Sequence, residues 1–366
     1  MASQGSTRRD FLKIAGAAAG GAAAGVLGGY FLGTSVGRQA TPTSVVNAYN
    51  WSYYIDENLL PKFTAETGIR VQYDTFESED EVWTKISTGA SGYDMVVLVD
   101  YRVGEAIAAN LLLPLDAARL PNTEFLIEQF TAPGYDPTLA YSRPYFWGTT
   151  GIGFNTTRGT VTGWEEMFDV SNFLPAHDQK VSMIDDSRET IGAALFYLGY
   201  SPNTENPTEL NEARDVLLAQ KPFLAKYGGA ADYMVSLVDG SWDVSHAWNG
   251  DIVVAQESNP DIAYVVPKEG AILWVDNMTI PRGARNVDGA LRFIDFMMEP
   301  ANQIDNALAA GYPSPSQVAT DYLPADFKAD PAIYPPADVL AKCEILGALS
   351  PTAEDLYNAI WLEVIT

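Results

Sequence analysis

The chain has 366 residues, enough for two domains that each bury a core of their own. A composition of 47% hydrophobic and 19% charged residues excludes a disordered chain. The balance of 22 Lys+Arg against 47 Asp+Glu, a formal net charge of -25, argues against nucleic acid, whose binding needs a basic footprint. A cationic partner fits this balance, although acidity also keeps a protein soluble. Cys343 is the sole cysteine, so the chain has no disulfide framework and no Cys-based zinc cluster.

At the N-terminus, STRRDFLKIAG sets Arg8 and Arg9 ahead of Phe11, Leu12 and Lys13 and resembles the twin-arginine export signal S-R-R-x-F-L-K. Residues 14–37 carry no charge, and 15 of these 24 are Gly or Ala. That run is too weakly hydrophobic for a stable membrane span and suits an export signal. Residues 1–40 are read as a signal peptide or, if uncleaved, an N-terminal anchor, placing the body in the periplasm or on the outer face of the cytoplasmic membrane. Without them the body keeps 18 basic against 46 acidic side chains, a net of -28.

SVVNAYNW (44–51) reads as a short apolar strand and LLPKFTAET (59–67) as a helix, with Pro61 in its first turn and Gly68 as its C-terminal cap. IRVQYDTF (69–76) alternates as a strand, and EDEVWTKISTGA (79–90) puts Val82 and Ile86 on one helical face. YDMVVLVD (93–100) is a continuous apolar run of the kind buried in a parallel sheet. A β-α-β-α-β series with one helix per link argues for an open α/β sheet. The pattern returns in KVSMIDD (180–186), a helix over 188–198, and strands in VSHAWNGD (244–251), DIAYVVP (261–267) and AILWVDNMTI (271–280). VDGALRFIDFMME (287–299) is an amphipathic helix with Ala290, Phe293, Ile294 and Met297 on one stripe. SPNTENPTE (201–209) and YPSPSQ (312–317) read as loops, and no internal repeat is visible.

In open α/β sheets ligands bind beyond the carboxyl ends of the strands. The expected strand ends are Trp51-Ser52, Asp100-Tyr101, Asp185-Asp186 with Glu189 a turn later, Trp248-Asn249-Gly250-Asp251 and Trp274-Val275-Asp276. AYNWSYYID (48–56) adds four rings within six positions. A Trp alone is ordinary core material and Asp186 alone an ordinary helix cap, but rings and carboxylates arrive together at five strand ends. Such pairing suits an extended organic cation: an ammonium gains about 0.5–2 kcal/mol over a ring face, methylenes pack on the same rings, and carboxylates accept the N–H donors.

AYNWSYYIDENLLPKFTAETGIRVQYDTFES, YDMVVLVDY, RPYFWGTTGIGFN, DDSRET, AWNGD, VPKEGAILWVDNM and GYPSPS resemble, in order from about residue 45 to about residue 317, the spermidine/putrescine-binding proteins of polyamine ABC importers. The resemblance implies a type II periplasmic binding fold of two α/β lobes, each an open, mainly parallel sheet flanked by helices, with the ligand in the cleft between them. Residues 44–150 with 272–330 would form lobe 1, and 151–271 with 331–366 lobe 2. It further implies ring walls from Trp51, Tyr54, Tyr101, Trp248, Trp274 and Tyr312, amine acceptors in Asp186, Glu189, Asp251 and Asp276, and a hydroxyl from Ser52. The implied protein is a non-catalytic monomer without cofactor that hands a polyamine to a membrane permease and its ATPase subunits. The chain departs from the family pattern at Tyr53, where members often carry an acid, and at Leu98-Val99, where they carry Pro-Ser. A glutamine of the family's C-terminal segment falls near Cys343 or Glu344. DDSRE resembles spermidine-preferring members and WNGD putrescine-preferring ones, which leaves the choice of amine open.

Two other classes use the same residues differently. A glycosidase needs only two carboxylates, but His177 and His246 are the sole histidines and no G-x-S-x-G motif is present. A metal-binding receptor could use Asp185, Asp186 and Glu189 as hard oxygen ligands, without any need for Trp51, Trp248 and Trp274 nearby.

Overall fold

The computed structural model of the protein describes residues 44–89 and 92–366; the expected export segment lies outside the described residues. Strand β1 (Ser44–Trp51) leads through helix α1 (Leu59–Thr67) to β2 (Ile69–Phe76), then through α2 (Glu79–Ser87) to β3 (Met95–Val99). These elements follow the hydrophobic periodicity closely. Gly68 caps α1 in the left-handed conformation at φ 72°, where a Cβ would be strained, and Ser78 caps α2 by accepting the Glu81 amide. The strand read over 93–100 ends at Val99, and Asp100 opens a helix, α3 (Asp100–Ala108).

The second half repeats this order with β5 (Val181–Ile184), β6 (Leu224–Gly228) and β7 (Val244–Trp248). Helix α4 (Ser187–Leu198) follows β5 and is buried along most of its length, and α5 (Pro207–Gln220) packs beside it. The run SPNTENPTE is a loop only as far as Asn206, whose side chain caps α5, and Pro207 takes the first helical position, where its missing N–H costs nothing. Helix α6 (Asn249–Ser258) springs directly from β7, so AWNGD is a strand-to-helix corner.

Two long strands join the halves. β4 (Ser142–Asn155) is buried throughout, and β9 (Ile272–Thr279) lies antiparallel along it. Among the described residues one hydrogen-bonded sheet of nine strands results, in the order β2-β1-β3-β9-β4-β7-β5-β6, with β8 (Ile262–Val265) also on β4. β1, β2 and β3 run parallel, as do β5, β6 and β7. The two α/β halves are thus observed, with their sheets continuous through β4 and β9.

Register locates the site. β3 meets β9 with Val96 opposite Thr279 and Val99 opposite Asp276, so its carboxyl end points at the middle of β9. β7 meets β4 with Val244 opposite Phe154 and Trp248 opposite Thr150, so its carboxyl end points at the middle of β4 from the other direction. Both parallel groups therefore converge on one zone, where Trp274 pairs with Gly148 and Asp276 with Phe146. The sequence reading put Trp274 and Asp276 at a strand end. They lie inside β9, and they reach the crevice because the other strands stop beside them.

A candidate cation site where the two halves meet

The converging strand ends enclose a cavity lined by Trp51, Ser52, Tyr54, Tyr101, Asp186, Glu189, Trp248, Trp274, Asp276 and Tyr312. Ten of the eleven residues singled out from the sequence are brought together there. The eleventh, Asp251, does not reach the lining. It stands in the first turn of α6, fully buried, where its carboxylate accepts the hydroxyls of Tyr233 and Tyr312, the latter at 2.8 Å. The expected direct acceptor is instead a brace behind a cavity ring.

Rings form two groups. Trp51 and Trp248, from opposite halves, have centroids 5.7 Å apart. Tyr312 stands edge-on to Trp274 and Tyr54, at 5.3 and 5.1 Å. Two glycines make this packing possible. A Cβ at Gly148 would lie 2.4 Å from the Trp274 ring, and one at Gly250 would lie 2.6 Å from the Tyr312 ring, so a side chain at either would expel a wall. Tyr101 is flanked by two guanidiniums, Arg102 from its own half and Arg188 from α4, each 5.2 Å from the ring centre.

The acids set the electrostatics. Asp276 is 5% exposed, and burial pushes its carboxyl up to about 7, partly offset by the Tyr54 hydroxyl and Trp51 indole that face it. Burial and then the neighbouring Asp186 raise Glu189 to about 8. One Glu189 oxygen accepts the Thr150 hydroxyl at 3.1 Å, and the other has no hydrogen-bond partner. Asp186 is raised chiefly by burial, although its Oδ1 caps α4 by accepting the Arg188 and Glu189 amides. Ser52 donates its hydroxyl to Glu77 at the rim.

Three further acids line the cavity that the sequence reading did not assign: Glu77 at the rim, Glu79 and Asp100. Asp100, inaccessible to solvent, accepts the Tyr101 and Val275 amides, and burial raises it to about 8 against the pull of both. Its signal was visible, since it stands at the end of β3. Glu79 gave no signal, because an acid in the first turn of a helix is ordinary. Tyr53 also lines the cavity, with a left-handed backbone at φ 58° that a non-glycine residue adopts at a cost of about 1–3 kcal/mol. In the C-terminal segment it is Leu346 that reaches the cavity. Cys343 and Glu344, where a family glutamine was expected, do not, and Glu344 instead pairs its backbone with β9 and accepts the Ser201 hydroxyl.

Among the described residues no Lys, Arg or His lines the cavity. Asp185, offered as a metal ligand, is exposed and outside the lining, and no group of three His, Cys, Asp or Glu side chains is placed to hold a metal ion among the described residues. Nor is any described helix long and apolar enough to cross a membrane. Buried acids between aromatic walls, at the meeting of two α/β halves, define a receptor for a small organic cation.

The chain belongs to the bacterial extracellular solute-binding proteins, whose family model matches residues 58–335. It is 33% identical to the putrescine-binding periplasmic protein SpuD of Pseudomonas aeruginosa, over 89% of this chain and 93% of that one. It is 34% identical to the spermidine/putrescine-binding periplasmic protein of Escherichia coli, over 91% and 96%. Among solved structures it resembles the spermidine/putrescine ABC transporter substrate-binding protein PotD of Streptococcus pneumoniae, with TM-score 0.76 and 32% identity over 88% of this chain and 98% of that one.

Proposed function

We propose that this protein captures a linear polyamine outside the cytoplasmic membrane and delivers it to an ABC-type permease with its ATPase subunits, without catalysing a reaction. The observation that carries this reading is the cavity itself: Glu79, Asp100, Asp186, Glu189 and Asp276 meet among seven rings, with no basic side chain in the described lining and the nearby Arg102 and Arg188 set behind Tyr101. A buried carboxylate without a countercharge is costly, and a ligand that brings ammonium groups removes that cost. The names of the relatives point to the same ligand class. Of the eleven residues chosen from the sequence, ten would contact the amine and Asp251 would act through Tyr312.

Export would use the twin-arginine route, as the STRRDFLK segment suggests, with residues 1–40 removed or kept as an anchor. The lobes would be 44–150 with 272–330 and 151–271 with 331–366. Packing of the C-terminal helix (Pro351–Ile365) on α4 and α5 supports assigning that end to the second lobe. The protein would act as a monomer.

Calorimetry with putrescine, cadaverine, spermidine and spermine at two salt concentrations tests the reading. Tight 1:1 binding of one amine is expected. Silence from all four, on folded protein free of carried-over ligand, would mean that the cavity holds a different cation.

A further inference from the structure

We propose that Glu79 is an additional cation acceptor in this cavity, and that the ligand therefore carries a third cationic centre beyond the two of a diamine; this rests on the polyamine reading above. Helix α2 opens with three consecutive acids, and the structure treats them unequally. Asp80, with an 86% exposed side chain, pairs with Arg102 at 3.1 Å. Glu81 accepts the Tyr49 hydroxyl at 2.6 Å and lies near Lys85. Glu79 is turned inward, is 4% exposed and lines the cavity, and neither oxygen makes a hydrogen bond of ordinary geometry, although the Val99 amide lies close enough to favour its charged form.

Helix capping does not account for this. An acid favours a helix N-terminus whether or not it is buried, and Asp80 and Glu81 already supply that charge from solvent. Arg102, the nearest cation, is committed elsewhere: it pairs with Glu105 at 2.8 Å and with Asp80, and lies over the rings of Trp83 and Tyr101. Burial raises the proton affinity of Glu79 first, Asp276 and Asp186 raise it further, and Arg102 and the Val99 amide oppose them.

Sorting these cavity acids by what they already hold locates the acceptors left for a ligand. Asp100 accepts one backbone amide on each oxygen, whereas Asp186 accepts two on Oδ1 alone. That leaves acceptors at three places: Glu79 on α2, the unpartnered Glu189 oxygen beside the second Asp186 oxygen at the start of α4, and Asp276, faced by the Tyr54 hydroxyl and Trp51 indole, on β9. Three acceptors on three elements match three ammonium centres along a chain, and ring walls between them pack the methylenes.

The test is E79Q in the full-length chain, titrated calorimetrically with spermidine and with putrescine, beside the parent and D276N. In E79Q the ratio of spermidine to putrescine affinity is expected to fall about tenfold, the worth of one charge-assisted contact. D276N should weaken both amines. E79M, similar in shape and uncharged, should reproduce the altered ratio and stands in if E79Q does not fold. An unchanged ratio in a folded variant overturns the role of Glu79. A parent chain that binds neither amine overturns the polyamine reading itself.

Discussion

Asp136 and Asp276 are almost equally buried, at 3% and 5% exposure, and their surroundings have little else in common. Asp136 sits in the loop before β4 and accepts four donors from its own neighbourhood: the amides of Ala140, Tyr141 and Ser142 and the Ser142 hydroxyl, all at 2.8–2.9 Å. Asp243, another buried acid, is likewise met by His177 at 3.0 Å and by Arg158 and Lys180. Asp276 faces only the Tyr54 hydroxyl and the Trp51 indole, with other acids close by. A carboxylate whose donors come from the chain is finished when the chain folds. One that the chain leaves with few donors, among other acids, is finished by something that arrives later.

This contrast can be broken most easily at Asp276. Asp276→Asn should cost about 3–5 kcal/mol of polyamine affinity, because a bound ammonium loses its partner, and should leave the fold intact. Calorimetry that finds near-normal affinity would remove Asp276 from the site. Asp136→Ala should do the reverse, costing about 2–4 kcal/mol of stability as four donors lose their acceptor, with affinity per folded molecule unchanged. A melting temperature within a degree of the parent's would contradict it. Trp274→Ala should weaken binding by about 1–3 kcal/mol through lost packing and cation–π attraction, again by calorimetry, and equal affinity would show that this wall is bystander core.

The smallest expected effect sharpens the contrast through pH. Asp276 moves from 3.8 to about 7 and Glu189 from 4.5 to about 8 on folding. Below about pH 3 both folded and unfolded chains are protonated at these groups, which then contribute nothing. As pH rises towards 8 the unfolded chain gives up protons that the empty folded protein retains, so its stability falls. A cationic ligand prefers the ionised acids and gains affinity over the same window, by about tenfold between pH 6 and 8 for one group titrating at 7. Melting temperatures of ligand-free protein at pH 5 and 8, with titrations in two buffers to detect proton release, check both signs. A ligand-free protein more stable at pH 8 than at pH 5 would refute them.

Elements governed by local periodicity were legible in the sequence: β1, α1 and β2 begin and end where the apolar pattern does. β4 was not, although it joins the halves. Its Pro144 and its glycines at 148, 151 and 153 argue locally against a strand. The glycines stand there because Trp274, Tyr264 and Ile252 leave no room for a Cβ, a constraint set by residues some 100 positions away. The same limit separates the acids of the cavity. Asp186 and Asp276 stood beside rings and could be suspected, whereas Glu79 differs from Asp80 and Glu81 only in which way the first turn of α2 faces, and tertiary packing decides that.

The two halves share a strand order, β2-β1-β3 on one side and β6-β5-β7 on the other, with the first and third strands of each ending at the cavity. By strand order Trp51, at the end of β1, corresponds to the Asp186 turn that follows β5, and Tyr101, after β3, to Trp248, at the end of β7. The strand order is matched between the halves and the chemistry at its ends is not. The site therefore has a head and a tail: a guest with identical ends can enter either way round, while one with unequal arms is held in a single orientation.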